Sequence, residues 1–208
     1  MIQDITTKDS KQFHVNVLGC KNITFEHFTL SAPGESRNRD GIHIGRSDGV
    51  NVLNMEIKTG DDCISIWDGS KNLVINGVTC GPGHGISICN LGLFKNEEPV
   101  DGVTVKNYTM TNTSNGGRIK SWTESKVKLS NISFKKIRDT SALPEAAKII
   151  CSATLPSKNV ELADIEITHS GPTGPTVSQL SNVKPKVSGK QNPAVCSAPI
   201  PTKPTPAT

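Results

Sequence analysis

Apolar residues recur along this chain at a starting position and again two, five and seven residues later. Six segments carry the pattern: Ile23/Phe25/Phe28/Leu30, Val50/Val52/Met55/Ile57, Leu73/Ile75/Val78/Cys80, Val103/Val105/Tyr108/Met110, Val127/Leu129/Ile132/Phe134 and Val160/Leu162/Ile165/Ile167. Side chains of a strand alternate between its faces, so one break in parity predicts two short strands joined by a bend. Four residues after each start stand His27, Asn54, Gly77, Asn107, Asn131 and Asp164, mostly types that tolerate turn geometry. Starts lie 23 to 33 residues apart, the length of one solenoid turn. Helices would show a 3.6-residue period, which is absent. The expected fold is all-β, a right-handed parallel β-helix.

A second strand per turn is marked by Ile42/Ile44, Ile64/Ile66 and Ile86/Ile88, spaced by 22 residues and again by 22, with Ile119 in the corresponding place after a longer loop. These isoleucines are expected to stack inside the tube. A β-sandwich of short strands is the alternative, but it does not account for repeated offsets. From about Gly171 the pattern stops, and the last 38 residues hold eight of the 13 prolines and no aromatic residue. The expectation is a β-helical domain over residues 1–170, an irregular cap over 171–198 and a mobile tail from Pro199 to Thr208.

At 208 residues with 34% hydrophobic content the chain is long enough for one core. Charged residues make up 20%, and no apolar run approaches the ~18 residues of a membrane span. A disordered chain and an integral membrane protein are thereby excluded. The formal charge of +4 comes from scattered Lys and Arg, which points to a polyanionic partner, nucleic acid or acidic polysaccharide. Cys20, Cys63, Cys80, Cys89, Cys151 and Cys196 form no C-x-x-C pair and have no His at zinc spacing, so no structural metal is expected. Sequons at Asn22, Asn107, Asn112 and Asn131 and an even cysteine count suit a secretory route. The first residues, Met1-Ile2-Gln3-Asp4, show no signal peptide, so the protein is expected to be cytosolic or to lack its beginning.

The stacked register has a chemical consequence. Asp40, Asp62 and His84 each stand two residues before an aligned isoleucine, Asp61 precedes Asp62, and Arg118 and Lys120 flank Ile119. With neighbouring strands ~4.8 Å apart, three carboxylates, an imidazole and two cations should share one wall. Read singly, Gly60-Asp61-Asp62 is a turn or a calcium-binding loop, His84 a turn residue, and Arg118 and Lys120 a solvated strand edge. Their common register argues otherwise. Mutual repulsion should raise at least one carboxyl pKa, and a protonated carboxyl beside ionised ones is what glycoside hydrolysis requires.

Gly60-Asp61-Asp62-Cys63, Cys80-Gly81-Pro82-Gly83-His84-Gly85 and Arg118-Ile119-Lys120 resemble the signature of the polygalacturonases, family 28 of the glycoside hydrolases, which share the pectin-lyase-like solenoid. Asn182-Val183-Lys184-Pro185 and Ser188-Gly189-Lys190-Gln191-Asn192-Pro193 resemble the plant, pollen-type, exo-acting branch. The resemblance implies inverting hydrolysis of pectin or galacturonate oligomers by a secreted, monomeric cell-wall enzyme with no cofactor, metal, nucleic-acid or membrane partner. It implies Asp61 as general acid and Asp40 with Asp62 as the pair that holds and deprotonates water. His84 would orient or tune that set, Asn38 would line the groove, and Arg118 and Lys120 would bind the substrate carboxylate. It also implies a Cys63 to Cys80 disulfide.

Two departures stand out. The family's Asn-Thr-Asp reads Asn38-Arg39-Asp40 here, and Arg39 turned towards an aspartate would lower its pKa. After Lys120 the chain passes from Ser121-Trp122-Thr123-Glu124 directly to Ser125-Lys126-Val127, where the family has a further coil and a tyrosine near the substrate. Together they suggest the alternative of a groove that binds pectin without turnover. Ser157 and Leu180 replace usual cysteines, leaving Cys151 and Cys196 free or paired with each other.

Overall fold

The computed structural model describes residues 1–122, 125–141, 143–172 and 174–195. Every described regular element is a β-strand, and all pair in parallel, each turn lying on the one before. One sheet has seven strands: Phe13–Leu18, Asp40–Gly45, Ile64–Ile66, Ile86–Leu91, Gly117–Ser121, Glu145–Ile150 and Val177–Ser181. The opposing sheet has twelve. In its early turns two short strands flank a bend, such as Lys71–Asn76 and Thr79–Cys80, and from Val100–Thr113 onward they fuse into one long bent strand.

The isoleucine columns form as expected. Ile42 pairs with Ile64 and Ile64 with Ile86, while Ile44, Ile66, Ile88 and Ile119 make the second column. All seven are buried, within a continuous apolar filling that includes Leu30, Val52, Ile75, Val105 and Tyr108. Alternation places these residues inward and leaves the polar residue of each Ile-x-Ile outward.

The bends keep their backbone conformation from turn to turn. His27, Asn54, Gly77, Asn107 and Asp164 all have positive φ, as the pattern predicts. The fifth repeat is corrected by five residues, because Val103 pairs with Ile132 and Val105 with Phe134. The repeat is therefore Ile132/Phe134/Ile137/Asp139, and Lys136, φ 51°, occupies its bend. Asn131 belongs to a second column just before the first apolar residue, with Asn22, Gly49, Asn72, Gly102 and Asn159, all at positive φ. Amides of this column bond between turns: Asn72 Nδ2 donates to Asp48 Oδ1 at 2.7 Å and Asn159 Nδ2 to Asn131 Oδ1 at 2.6 Å. Asparagine suits both needs, since it tolerates the left-handed region and offers a side-chain donor.

The segment expected to be an irregular cap is also corrected. Val177–Ser181 pairs with Glu145–Ile150, and Lys186–Asn192 pairs with Lys158–His169, so both sheets continue past Gly171. The tail from Pro199 to Thr208 lies outside the described residues. Cys63 and Cys80 form a disulfide, and Cys20, Cys89 and Cys151 carry free thiols. Cys196 lies outside the described residues.

Candidate active site

Each turn enters the seven-stranded sheet with a polar residue two places before the inward isoleucine. Gly41 N donates to Asp62 O, and Cys63 N to Gly85 O, which puts Asp40, Asp62 and His84 on successive levels. The loop carrying His84 passes so close to its neighbour that a Cβ on Gly83, φ 140°, would lie 2.4 Å from Asp61 O. A glycine is needed there, and the close approach lets His84 N bond Asp61 O at 2.9 Å. The Cys63–Cys80 bridge ties the acidic loop to this turn.

These residues meet in a groove of about 600 Å³ lined by Gln12, Asn38, Asp40, Asp61, Asp62, Trp67, His84, Arg118 and Lys120, among others. The structure thus brings together every residue proposed for the site. Asp61 is held at three points: His84 Nδ1 lies 2.7 Å from Oδ1, Asp62 N donates to Oδ1 at 2.9 Å, and Asn38 N donates to Oδ2 at 3.0 Å. Asn38 therefore contributes its backbone as well as a groove position. Asp62 is buried and receives Ser87 Oγ at 2.6 Å and Arg118 Nη2 at 3.0 Å. Ligating atoms of Asp61, Asp62 and His84 lie within 4.8 Å of one another, a spacing a cation could bridge, and the Arg118 guanidinium already supplies positive charge beside Asp62.

Protonation follows burial and partnership. The hydrogen bond with His84 is the main cause holding Asp61 below the usual carboxylate range, and the same bond raises His84. Burial pushes Asp40 up to about 7, opposed by a hydrogen bond from Ser65 and reinforced by Asp62 and Asp61. Burial also raises Asp62, against Arg118 and Ser87. Two carboxyls are raised, with desolvation ahead of the mutual repulsion that was expected, and Asp61, the residue expected to act as the acid, is instead lowered.

Arg39 does not do what its position suggested. No ion pair joins it to an aspartate among the described residues; its charge is felt instead by His14, whose pKa is lowered first by burial and then by Arg39. The premise that it disables Asp40 falls away. Arg118 is likewise more committed than expected, with Nε on Ser87 at 3.0 Å and Nη2 on Asp62.

Several groove residues escaped the sequence reasoning. His43, Ser65 and Ser87, the outward residues between paired inward positions, were not singled out, and they stack in one column that ends in the expected Arg118. Phe13, His43 and Trp67 form a ring-contact line beside the acids, with centroids 4.5 and 4.8 Å apart. The Ile-x-Ile spacing held that signal, because its middle positions must all face the groove.

The Asp40 shift has a measurable sign. An unfolded aspartate titrates near ~3.9, so between there and about 7 the folded state holds a proton that the unfolded state has released. This contribution to stability is complete below the lower value and is lost as pH rises through the upper one. His84, also raised, acts in the same sense at higher pH. Asp40→Asn should therefore raise Tm at pH 8 and change it little at pH 4. Equal shifts at both pH values would show that Asp40 does not titrate this way.

The sequence signature of glycosyl hydrolases family 28 matches residues 1–126 and 123–194. A polygalacturonase of Gossypium hirsutum is 54% identical over 245 aligned residues, covering 99% of this chain and 60% of that protein. An exopolygalacturonase of Oenothera organensis is 51% identical, covering 95% of this chain and 66% of that protein. Among solved structures, a polygalacturonase from Erwinia carotovora superposes with a TM-score of 0.66 at 24% identity, over 88% of this chain and 56% of that one. An endo-xylogalacturonan hydrolase from Aspergillus tubingensis gives 0.68 at 19% identity, over 90% and 65%. These two likenesses speak for the fold.

The chain spans about 60% of the Gossypium protein's length. That alignment runs over 245 positions, more than the 208 residues of this chain, so the relative has positions within it that lack a counterpart here. The two signature matches meet at residues 123–126, the junction at which a coil was expected to be missing.

Proposed function

From the premise that the chain belongs to glycosyl hydrolases family 28, we propose that it hydrolyses α-1,4-galacturonosidic bonds of polygalacturonate with inversion at the anomeric carbon. The observation that carries this reading is the meeting of Asp40, Asp61, Asp62 and His84 in one open groove beside Arg118 and Lys120. Burial penalises the ionised forms of Asp40 and Asp62, a cost to stability that inverting hydrolysis, which uses paired carboxyls, explains.

Asp61 protonates the leaving oxygen. It shares a proton with His84 across 2.7 Å, so the pair rather than the carboxyl alone is the reservoir. Asp40 and Asp62 hold the attacking water, and its proton passes to whichever of them is ionised. Arg118 neutralises Asp62 and keeps it oriented. Lys120, exposed at the rim, meets the substrate carboxylate as a point charge. The relatives named exopolygalacturonase support exo action. The Cys63–Cys80 bridge and four exposed sequon asparagines support secretion to the cell wall, and we take the working unit to be a monomer.

Incubation with polygalacturonate and with methyl-esterified pectin tests the proposal. Reducing ends should appear from the acid polymer and far fewer from the ester, with monogalacturonate as the first product. A ladder of oligomers would replace exo by endo action. No reducing ends from the acid polymer would overturn the reading.

A further inference from the structure

Beyond the acids, towards the C-terminal turns, the groove opens into a second depression of about 410 Å³ lined by Asn115, Arg118, Lys120, Ser121, Leu143 and Lys148 with two isoleucines. It shares Arg118 and Lys120 with the acidic groove, so the two are continuous. Its described lining holds three cations and no carboxylate. Arg118 is already engaged by Asp62, whereas Lys120 and Lys148 make no ion pair among the described residues. Unpaired cations without a local counter-charge attract an anion from solution.

The register explains why Lys148 stands there. Gly117–Ser121 pairs directly with Glu145–Ile150, Arg118 opposite Lys148 and Ile119 opposite Ile149. Ile119 and Ile149 are buried, so Lys148 faces outward in the column of Ser65, Ser87 and Arg118, about 4.8 Å beyond Arg118. The two signature matches meet at residues 123–126, between these two strands.

Resting on the functional reading above, we propose that Lys148 and Lys120 form a carboxylate-binding subsite for a second galacturonate unit, next to the acids on the side of the C-terminal turns. Lys148 is a binding residue, not a catalytic one. Specificity follows: the subsite favours an unesterified unit, because a methyl ester carries no charge for the lysines to meet.

The test is calorimetric titration of the whole chain with trigalacturonate and with its methyl ester. Lys148→Ala should weaken trigalacturonate binding about fivefold and reduce its salt dependence, leaving binding of the ester unchanged. Lys148→Arg should stay within about twofold, since the charge is kept. Lys106→Ala, exposed on the opposite sheet, is the control for general charge. Equal Tm across the set excludes loss of fold. Unchanged trigalacturonate affinity in Lys148→Ala, or an equal loss for the ester, overturns the subsite while leaving the functional reading intact. If the unsubstituted protein binds no trigalacturonate, the functional reading fails and the subsite with it.

Discussion

Asp61→Asn is expected to lower hydrolysis of polygalacturonate by at least about 10² and up to about 10⁴, the range lost with a positioned acid, while trigalacturonate affinity changes little. The amide keeps the size of the carboxyl but cannot release a proton to a leaving oxygen. The substitution is not silent structurally. Asp61 accepts from Asn38 N, Asp62 N and His84 Nδ1, and an amide can offer its oxygen to only one side. The backbone N–H of Asn38 then faces an NH₂, a mismatch costing about 1 to 2 kcal/mol. His84 supplies an independent readout. Its raised pKa comes first from Asp61, so the imidazole should titrate lower in the variant, as followed by NMR. Full turnover with a shifted His84 would remove Asp61 from the acid's role.

The second large effect falls on stability. Arg118→Met leaves the Asp62 carboxylate buried with Ser87 as its one remaining side-chain hydrogen-bond donor of normal length among the described residues, and losing one partner of a buried pair costs about 3 to 5 kcal/mol. The loss should grow with pH, since Asp62 can escape it by protonation in acid. Asp62→Leu together with Arg118→Met should recover much of the urea midpoint, because no uncompensated charge remains. Hydrolysis stays absent in the double variant. If Arg118→Met unfolds at the parental midpoint, Arg118 faces substrate rather than Asp62, and the commitment described for it is wrong.

Most of the fold was legible because a solenoid repeats its instructions. Ile42, Ile64 and Ile86 could be aligned by eye, and the residues flanking them located the acids, the histidine and the cations of one groove. The fifth repeat was misread for a physical reason. Val127, Leu129, Ile132 and Phe134 fit the apolar offsets completely, whereas the true set ends in Asp139, a charge at an interior place. That carboxyl is buried, with its pKa pushed up to about 6, and Thr113 Oγ1 donates to it at 3.1 Å. Pattern matching rewards uniform hydrophobicity and misses a polar group made tolerable by a partner in another turn. The C-terminal turn was missed for the opposite reason. Lys186–Asn192 is largely exposed and needs few apolar residues, so its backbone pairing leaves little compositional trace. The state of Arg118 and Arg39 was illegible too, because which neighbour a long side chain meets depends on directions that spacing does not encode.

The pairing of Gly117–Ser121 with Glu145–Ile150 runs from Gly117 opposite Ala147 to Lys120 opposite Ile150 without a slip. A stack of turns is a ruled scale: shortened by a whole division, everything beyond slides one notch without rotating. Shortened by a fraction, it would flip each later side chain across the wall. Indels in such a chain are therefore quantised, and those that survive leave inside and outside unchanged. What they alter is which division stands next to the reacting bond. Length becomes a way to exchange the neighbours of a fixed chemistry, so that homologues of different length can read different stretches of one polymer with the same acids.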